Sequence, residues 1–246
     1  MDNTRKEREL KHFDALVDKM GNVWWGHLTP AGKRRMERRV VLLKENINSI
    51  NDLNILEFGC GTGALSKLIL EHIPQCRLTC CDISTKSINL AKIHCAPYKN
   101  VSFEVEDVLN LPYASEKFDA IVGNAILHHV DLDAALKECY RLLQPRGFIL
   151  FFEPNMINPQ IAIERNIKFI GRMLQNSPDE TAFIRGKMIK PLRESGFTNI
   201  QVIPFDFLYP TIPVPFIPFA EKLGYALEKL PLLKEISGSL IISAKK

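Results

Sequence analysis

No apolar run in the sequence approaches the roughly 18 residues that would suggest a membrane-spanning helix. No signal-type apolar core follows the polar start Met1-Asp2-Asn3-Thr4-Arg5-Lys6, and a cytoplasmic location is expected. No Cys-x-x-Cys pair occurs: the six cysteines stand at 60, 76, 80, 81, 95 and 139. They read as reduced, buried thiols, with no metal site expected. Cys80 and Cys81 are neighbours in an apolar strand, so their side chains are expected on opposite faces. Neither sign of charge dominates. The net charge of +4 is too mild to imply a nucleic-acid partner, and no basic–aromatic interleaving suggests base stacking. The densest basic run, Lys33-Arg34-Arg35-Met36-Glu37-Arg38-Arg39, is read as a solvated helix face rather than an anion-binding patch. Internal repeats and low-complexity segments are absent. What remains is an ordinary globular composition, 46% apolar and 24% charged over 246 residues, enough to bury one large core.

The chain is organised around Asn54-Ile55-Leu56-Glu57-Phe58-Gly59-Cys60-Gly61-Thr62-Gly63-Ala64. An apolar run breaks into three glycines at alternate positions. A helical pattern of Ala64, Leu65, Leu68, Ile69 and Ile73 follows and stops at Pro74. Strand, tight turn and helix result. Glycine lets the turn take positive φ and lets a ligand approach the backbone, and the free amides of the following helix offer donors. Gly59-x-Gly61-x-x-Ala64 also fits the dinucleotide fingerprint, so this loop alone implies only a nucleotide-like ligand.

Strand and helix then alternate. Strands are expected at Leu78–Asp82, Val101–Val105, Phe118–Asn124 and Phe148–Phe152, with Ser84 and Asp131 as helix caps. Repeated units of this kind make a parallel sheet with helices on both faces. Before them, residues 1–50 form a helical extension or lid, with Thr29 and Pro30 opening the basic helix. The core occupies 51–246. A helical insertion is expected at 156–195, including a helix from Asn158 to about Leu174, and an apolar, proline-rich insertion at 208–235. Pro204 suggests that the strand Ile200–Pro204 lies at a sheet edge, and Gly238–Ala244 closes the chain as a buried strand.

Open α/β sheets bind ligands at the carboxyl ends of their strands, where Glu57, Asp82, Glu106, Asp107 and Asn124 fall. Asp82 can accept bonds from both hydroxyls of a ribose, and Asp107 from an exocyclic amine such as that of adenine.

These motifs resemble those of the class I S-adenosylmethionine-dependent methyltransferases, in the small-molecule group that includes the ubiquinone/menaquinone-type enzymes. Glu57 to Gly63 resembles the family's first motif, Asp82 its second-strand acid, and Glu106-Asp107 its adenine-side acid. Phe118-Asp119 through His128-His129-Val130 resembles the fourth-strand motif. Tyr140 to Gly147 resembles the turn before strand five, with Arg146 in place of a usual glycine. The resemblance implies a Rossmann-like sheet of order 3-2-1-4-5-7-6 with the last strand antiparallel. It also implies S-adenosylmethionine as cofactor, held by Glu57, Phe58, Gly59, Cys60, Gly61, Asp82, Ile83, Glu106, Asp107, Val108, Asn124 and Ala125.

His128 and His129 are the candidate bases, because histidine titrates near neutral pH. Glu153 and Asn155 at the end of strand five, Arg185, and Trp25 of the Trp24-Trp25 pair are the candidate acceptor contacts. The expected acceptor is a small, hydrophobic or lipid-like molecule, with O-, N- or C-methylation left open and peripheral membrane contact possible through 208–230. Two alternatives stay open. One is a methyltransferase fold that binds S-adenosylmethionine without transferring methyl, cyclase-like or regulatory. The other is an NAD-type oxidoreductase.

Overall fold

The computed structural model describes residues 3–21, 26–47, 52–174, 176–177 and 181–246. Helix α1 (Asn3–Met20) and helix α2 (Pro30–Asn46) precede the sheet. Thr29 caps α2, its hydroxyl accepting from the Gly32 amide at 3.0 Å with Pro30 at the first helical position. The alternating units follow: β1 (Asn54–Phe58), α3 (Ala64–His72), β2 (Arg77–Asp82), α4 (Thr85–His94), β3 (Val101–Val105) and β4 (Phe118–Asn124). A single 3-10 turn, Leu127–His129, leads to α5 (Leu132–Leu142) and β5 (Leu143–Pro154). Then come α6 (Pro159–Asn166), α7 (Lys168–Met173), α8 (Arg185–Glu194), β6 (Thr198–Phe205), α9 (Ile217–Glu228) and β7 (Ser239–Lys245).

The described strands form one sheet in the order β3-β2-β1-β4-β5-β7-β6. The first five are parallel, and β7 lies antiparallel to both β5 and β6. This is the expected architecture, with the proline-bearing β6 at the edge. Side chains alternate between two cores. Leu56, Cys81, Ile121, Ile149 and Phe151 pack with α5 and α8. Ile55, Cys80, Val122, Leu150 and Phe152 pack with α2, α3 and α4. All six cysteines are free and buried, and Cys80 and Cys81 face opposite layers.

Some expectations need correction. The helix expected from Asn158 to about Leu174 breaks in two, because Ile167 takes an extended conformation (φ −102°, ψ 94°). The basic run of α2 is not simply a solvated face. Lys33 and Arg34 are exposed, but Arg35 and Arg39 meet Asp206 and Arg38 meets Glu228. These carboxylates come from beyond β6, so the ion pairs are made by the fold. Arg146, standing where a glycine is usual, holds φ of 69°.

The loop between β1 and α3 carries positive φ at Gly59, Gly61 and Gly63. At Gly63 a Cβ would come within 3.0 Å of the Ala91 Cα, so glycine here also lets α3 and α4 approach. Beneath the loop, the buried Glu57 carboxylate accepts from Ser66 Oγ at 2.5 Å and Cys80 Sγ at 3.5 Å. Burial outweighs these bonds and pushes the Glu57 carboxyl up to about 7 from 4.5. The native state therefore holds a proton that the unfolded chain releases between those values, and native stability falls as pH rises through that window. Glu57→Gln removes the cost of charging a buried group. It should gain up to about 3 kcal/mol over the parent above pH 7 and lose the advantage below pH 5. Urea unfolding across that range measures this, and a difference independent of pH would contradict it.

Candidate active site

A cavity of about 640 Å³ opens above the carboxyl ends of β1, β2, β4 and β5, walled also by α1, α2 and α6. Its β1–β2 half is built around the glycine loop. A Cβ on Gly59 would lie 2.5 Å from the Ile126 side chain, so only glycine leaves that approach open. Asp82 at the end of β2 accepts from the Gly61 amide through Oδ2 and the Ser84 amide through Oδ1, both at 2.9 Å. Burial raises the Asp82 carboxyl above its ordinary value against these amide bonds. Each oxygen keeps capacity for a further donor. Asp107 accepts from the Leu109 amide at 3.0 Å and pairs with Lys6 of α1 at 2.6 Å. Ile83, Glu106, Val108, Asn124 and Ala125 line the same cavity, with Ala125 at φ 56°.

The β4–β5 half is built around Glu153, whose side chain is fully buried. Its Oε1 accepts from the amides of Ile126 (3.0 Å) and Leu127 (2.8 Å), and its Oε2 lies 2.6 Å from His128 Nδ1. With a carboxylate as partner, Nδ1 is the donor, which places the imidazole lone pair on Nε2. The His129 ring sits 4.0 Å from that of His128, centroid to centroid. His129 Nδ1 meets Glu9 Oε2 at 2.9 Å. Ser177 Oγ donates to the other Glu9 oxygen at 2.7 Å, and Phe13 packs edge-on against His129 at 5.1 Å. Burial raises the Glu9 carboxyl, but His129, Ser177 and Arg5 outweigh it, and the net direction is down.

Both histidines and Glu153 thus share one cavity with Glu57, Gly59, Cys60, Gly61 and the strand-end acids. Other expected contacts lie elsewhere. The Phe58 side chain is in the core, edge-on to Phe151 at 6.0 Å. Asn155 spends its amide on the carbonyls of Glu235 (2.8 Å) and Ser237 (2.9 Å), fastening the chain that leads into β7. Arg185 pairs with Glu235 at 2.7 Å, partly exposed. Asn155 is expected as an acceptor contact from its place at the end of β5, and Arg185 as a partner for an anionic group. The fold uses them to hold the long insertion instead. Trp25 lies outside the described residues. Sequence reading missed Lys6, Glu9, Arg35 and Arg39. One signal was available: Lys6, Glu9 and Phe13 recur at i, i+3 and i+7, which puts them on one helix face. Among the described residues no His/Cys/Asp/Glu cluster suits a metal ion.

Comparison with known proteins matches residues 55–147 to the methyltransferase domain family. A ubiquinone biosynthesis O-methyltransferase from Coxiella burnetii is 28% identical over 202 residues, covering 79% of this chain and 82% of that protein. Among solved structures, a S-adenosylmethionine-dependent methyltransferase from Thermotoga maritima, described as a possible histamine N-methyltransferase, superposes with a TM-score of 0.69. It is 17% identical, over 96% of this chain and 99% of that one. The N-methyltransferase NodS from Bradyrhizobium japonicum, in complex with S-adenosylhomocysteine, gives a TM-score of 0.62 at 18% identity, over 96% and 98%. The glycine loop, the strand-end acids and the antiparallel closing strand agree with this result, and together these findings support a class I S-adenosylmethionine-dependent methyltransferase.

Proposed function

We propose that the enzyme methylates a hydroxyl group on a small, largely apolar acceptor, with His128 as the general base. The observation that carries this reading is the buried Glu153–His128 pair, 2.6 Å apart and anchored by two backbone amides. The O-methyltransferase from Coxiella burnetii supports it by name.

When bound, S-adenosylmethionine supplies an electrophilic methyl group on a sulfonium. The residues of the β1–β2 half fit that cofactor. Asp82 would receive the ribose hydroxyls, Asp107 and Val108 would border the adenine, and the backbone at Gly59, Gly61, Asn124 and Ala125 would hold the rest. Phe58 supports the loop from below. Positioning does much of the work in an in-line displacement. An attacking hydroxyl must also lose its proton, and Nε2 of His128 takes it while Glu153 stabilises the imidazolium that forms. His129, held by Glu9, borders the acceptor.

In this reading residues 1–50 are a lid. Lys6 and Glu9 join it to Asp107 and His129 respectively. Residues 156–195 and 208–235 are insertions that shape the acceptor end, where Ile161, Leu208 and Tyr209 line the cavity. Phe216, Phe219 and Leu232 on the outer side are exposed and suit peripheral contact with a membrane. No helix of the described residues is long and apolar enough to cross one. A cytoplasmic location accords with this reading.

Transfer of labelled methyl from S-adenosylmethionine to a panel of phenols and catechols tests the proposal. His128→Ala should lower the rate about 10²–10⁴-fold, the usual worth of a general base. Glu153→Gln should lower it in the same direction, and both should bind S-adenosylhomocysteine as the parent does. An unchanged rate in His128→Ala would contradict the base assignment. On the cofactor side, Asp82→Ala should weaken S-adenosylhomocysteine binding by about 1.5–3 kcal/mol, the scale of a charged hydrogen bond. Calorimetric titration checks this, and equal affinity in the folded variant would remove Asp82 from the ribose site.

A further inference from the structure

Five acids that line the cavity already have partners. Asp82 holds two backbone amides, Asp107 holds Lys6, Glu9 meets His129 and Ser177, Glu153 meets His128 and two amides, and Glu164 accepts from Gln160 at 2.7 Å. Arg39 differs. It lines the same cavity and is only 6% exposed. Its Nη2 makes two long contacts, 3.5 Å to Asp206 and 3.4 Å to Ser239, and its buried Nε has no hydrogen-bond partner among the described residues.

The shortfall follows from the local charge count. Arg35, Arg38 and Arg39 share Asp206 and Glu228. Arg38 takes both oxygens of Glu228, at 2.7 and 2.5 Å. Arg35 Nε takes Asp206 Oδ2 at 2.7 Å, and Asp206 Oδ1 accepts from the Leu208 amide at 3.1 Å. One positive charge is left over, at Arg39. The rings of Phe152 and Phe205 lie 5.6 and 5.7 Å from its guanidinium carbon and offset only part of the cost. Burial, with Arg35 and Arg38 nearby, lowers its pKa to about 10, so it remains charged at neutral pH. A buried guanidinium with poor hydrogen bonds is costly unless an anion completes it, and its fork matches two oxygens of one anionic group.

Its place points to the acceptor. Phe152 lies on β5 and Ser239 opens β7, so Arg39 lies at the β5–β7 side of the cavity. Met36, Phe152, Ile161 and Leu208 supply apolar wall. We infer that Arg39, flanked by Arg35, is a subsite for an anionic group, carboxylate or phosphate, carried by an otherwise apolar methyl acceptor. The inference rests on the reading that the β4–β5 half of this cavity receives the acceptor.

The test is calorimetric titration of the protein saturated with S-adenosylhomocysteine, using octanoate, octyl phosphate, octanol and octyltrimethylammonium as probes. At least one anionic probe should bind a single site about tenfold or more tightly than octanol, with the cation weakest, the scale of one charge-assisted hydrogen bond. Preference for octanoate or for octyl phosphate assigns the group. Arg39→Gln should abolish the preference for the anion, Arg39→Lys should keep part of it, and neither should alter S-adenosylhomocysteine affinity. Octanol binding as tightly as both anions, no saturable binding of either anion, or an undiminished preference in Arg39→Gln would each overturn the subsite. Should Arg39→Gln fail to fold, the four probes on the parent protein and on Arg39→Lys decide. Failure to bind S-adenosylhomocysteine at all would instead count against the cofactor reading.

Discussion

The β4–β5 half of the cavity depends on one buried carboxylate. Glu153 ends the central part of β5 with no exposed side-chain surface. A lone carboxylate there would be prohibitively desolvated. It is tolerated because the chain after β4 turns two amides toward one oxygen and an imidazole toward the other. The same contacts fix the 3-10 turn Leu127–His129 against the sheet. Sheet register, turn geometry and histidine orientation are therefore one arrangement, and disturbing any of the three disturbs the others.

The helices that precede the sheet complete the cavity by charge as well as by packing. Helix α1 brings Lys6 to Asp107 and Glu9 to His129, reaching both halves from one face. Helix α2 brings Arg35 and Arg39 to the cavity wall beside Asp206. The consequence is an uneven field. The β1–β2 half presents carboxylates suited to hydroxyl and amine donors, and the β5–β7 side presents a guanidinium suited to an anion. An acceptor with an apolar body and an acidic end would be oriented by that polarity before any chemistry occurs.

Much of this was legible in sequence because it is local. The glycine loop, the capping residues Thr29, Ser84 and Asp131, and the alternation of strand and helix are written in contiguous residues, and the strand order followed from the family resemblance. The acids Asp82 and Asp107 were legible because strand ends locate them. What local pattern cannot show is a partner from a distant segment. Asn155 and Arg185 looked free to meet a ligand, yet the segment near Glu235 returns to claim both. The basic run on α2 looked solvated until Asp206 and Glu228, far along the chain, folded against it. The break of the expected helix at Ile167 has no proline or glycine at that position to announce it. Glu153 was read as a contact for the acceptor, whereas its geometry fits it to hold the histidine.

The coupling of Glu153 to His128 is most directly tested by the tautomer of that imidazole. Long-range proton–nitrogen NMR on protein labelled at histidine nitrogen, with S-adenosylhomocysteine present at pH 9, would report it. The account predicts a proton on Nδ1 of His128 and none on Nε2, with that preference lost in Glu153→Gln. A proton on Nε2 in the parent protein, or a tautomer indifferent to Glu153, would contradict it.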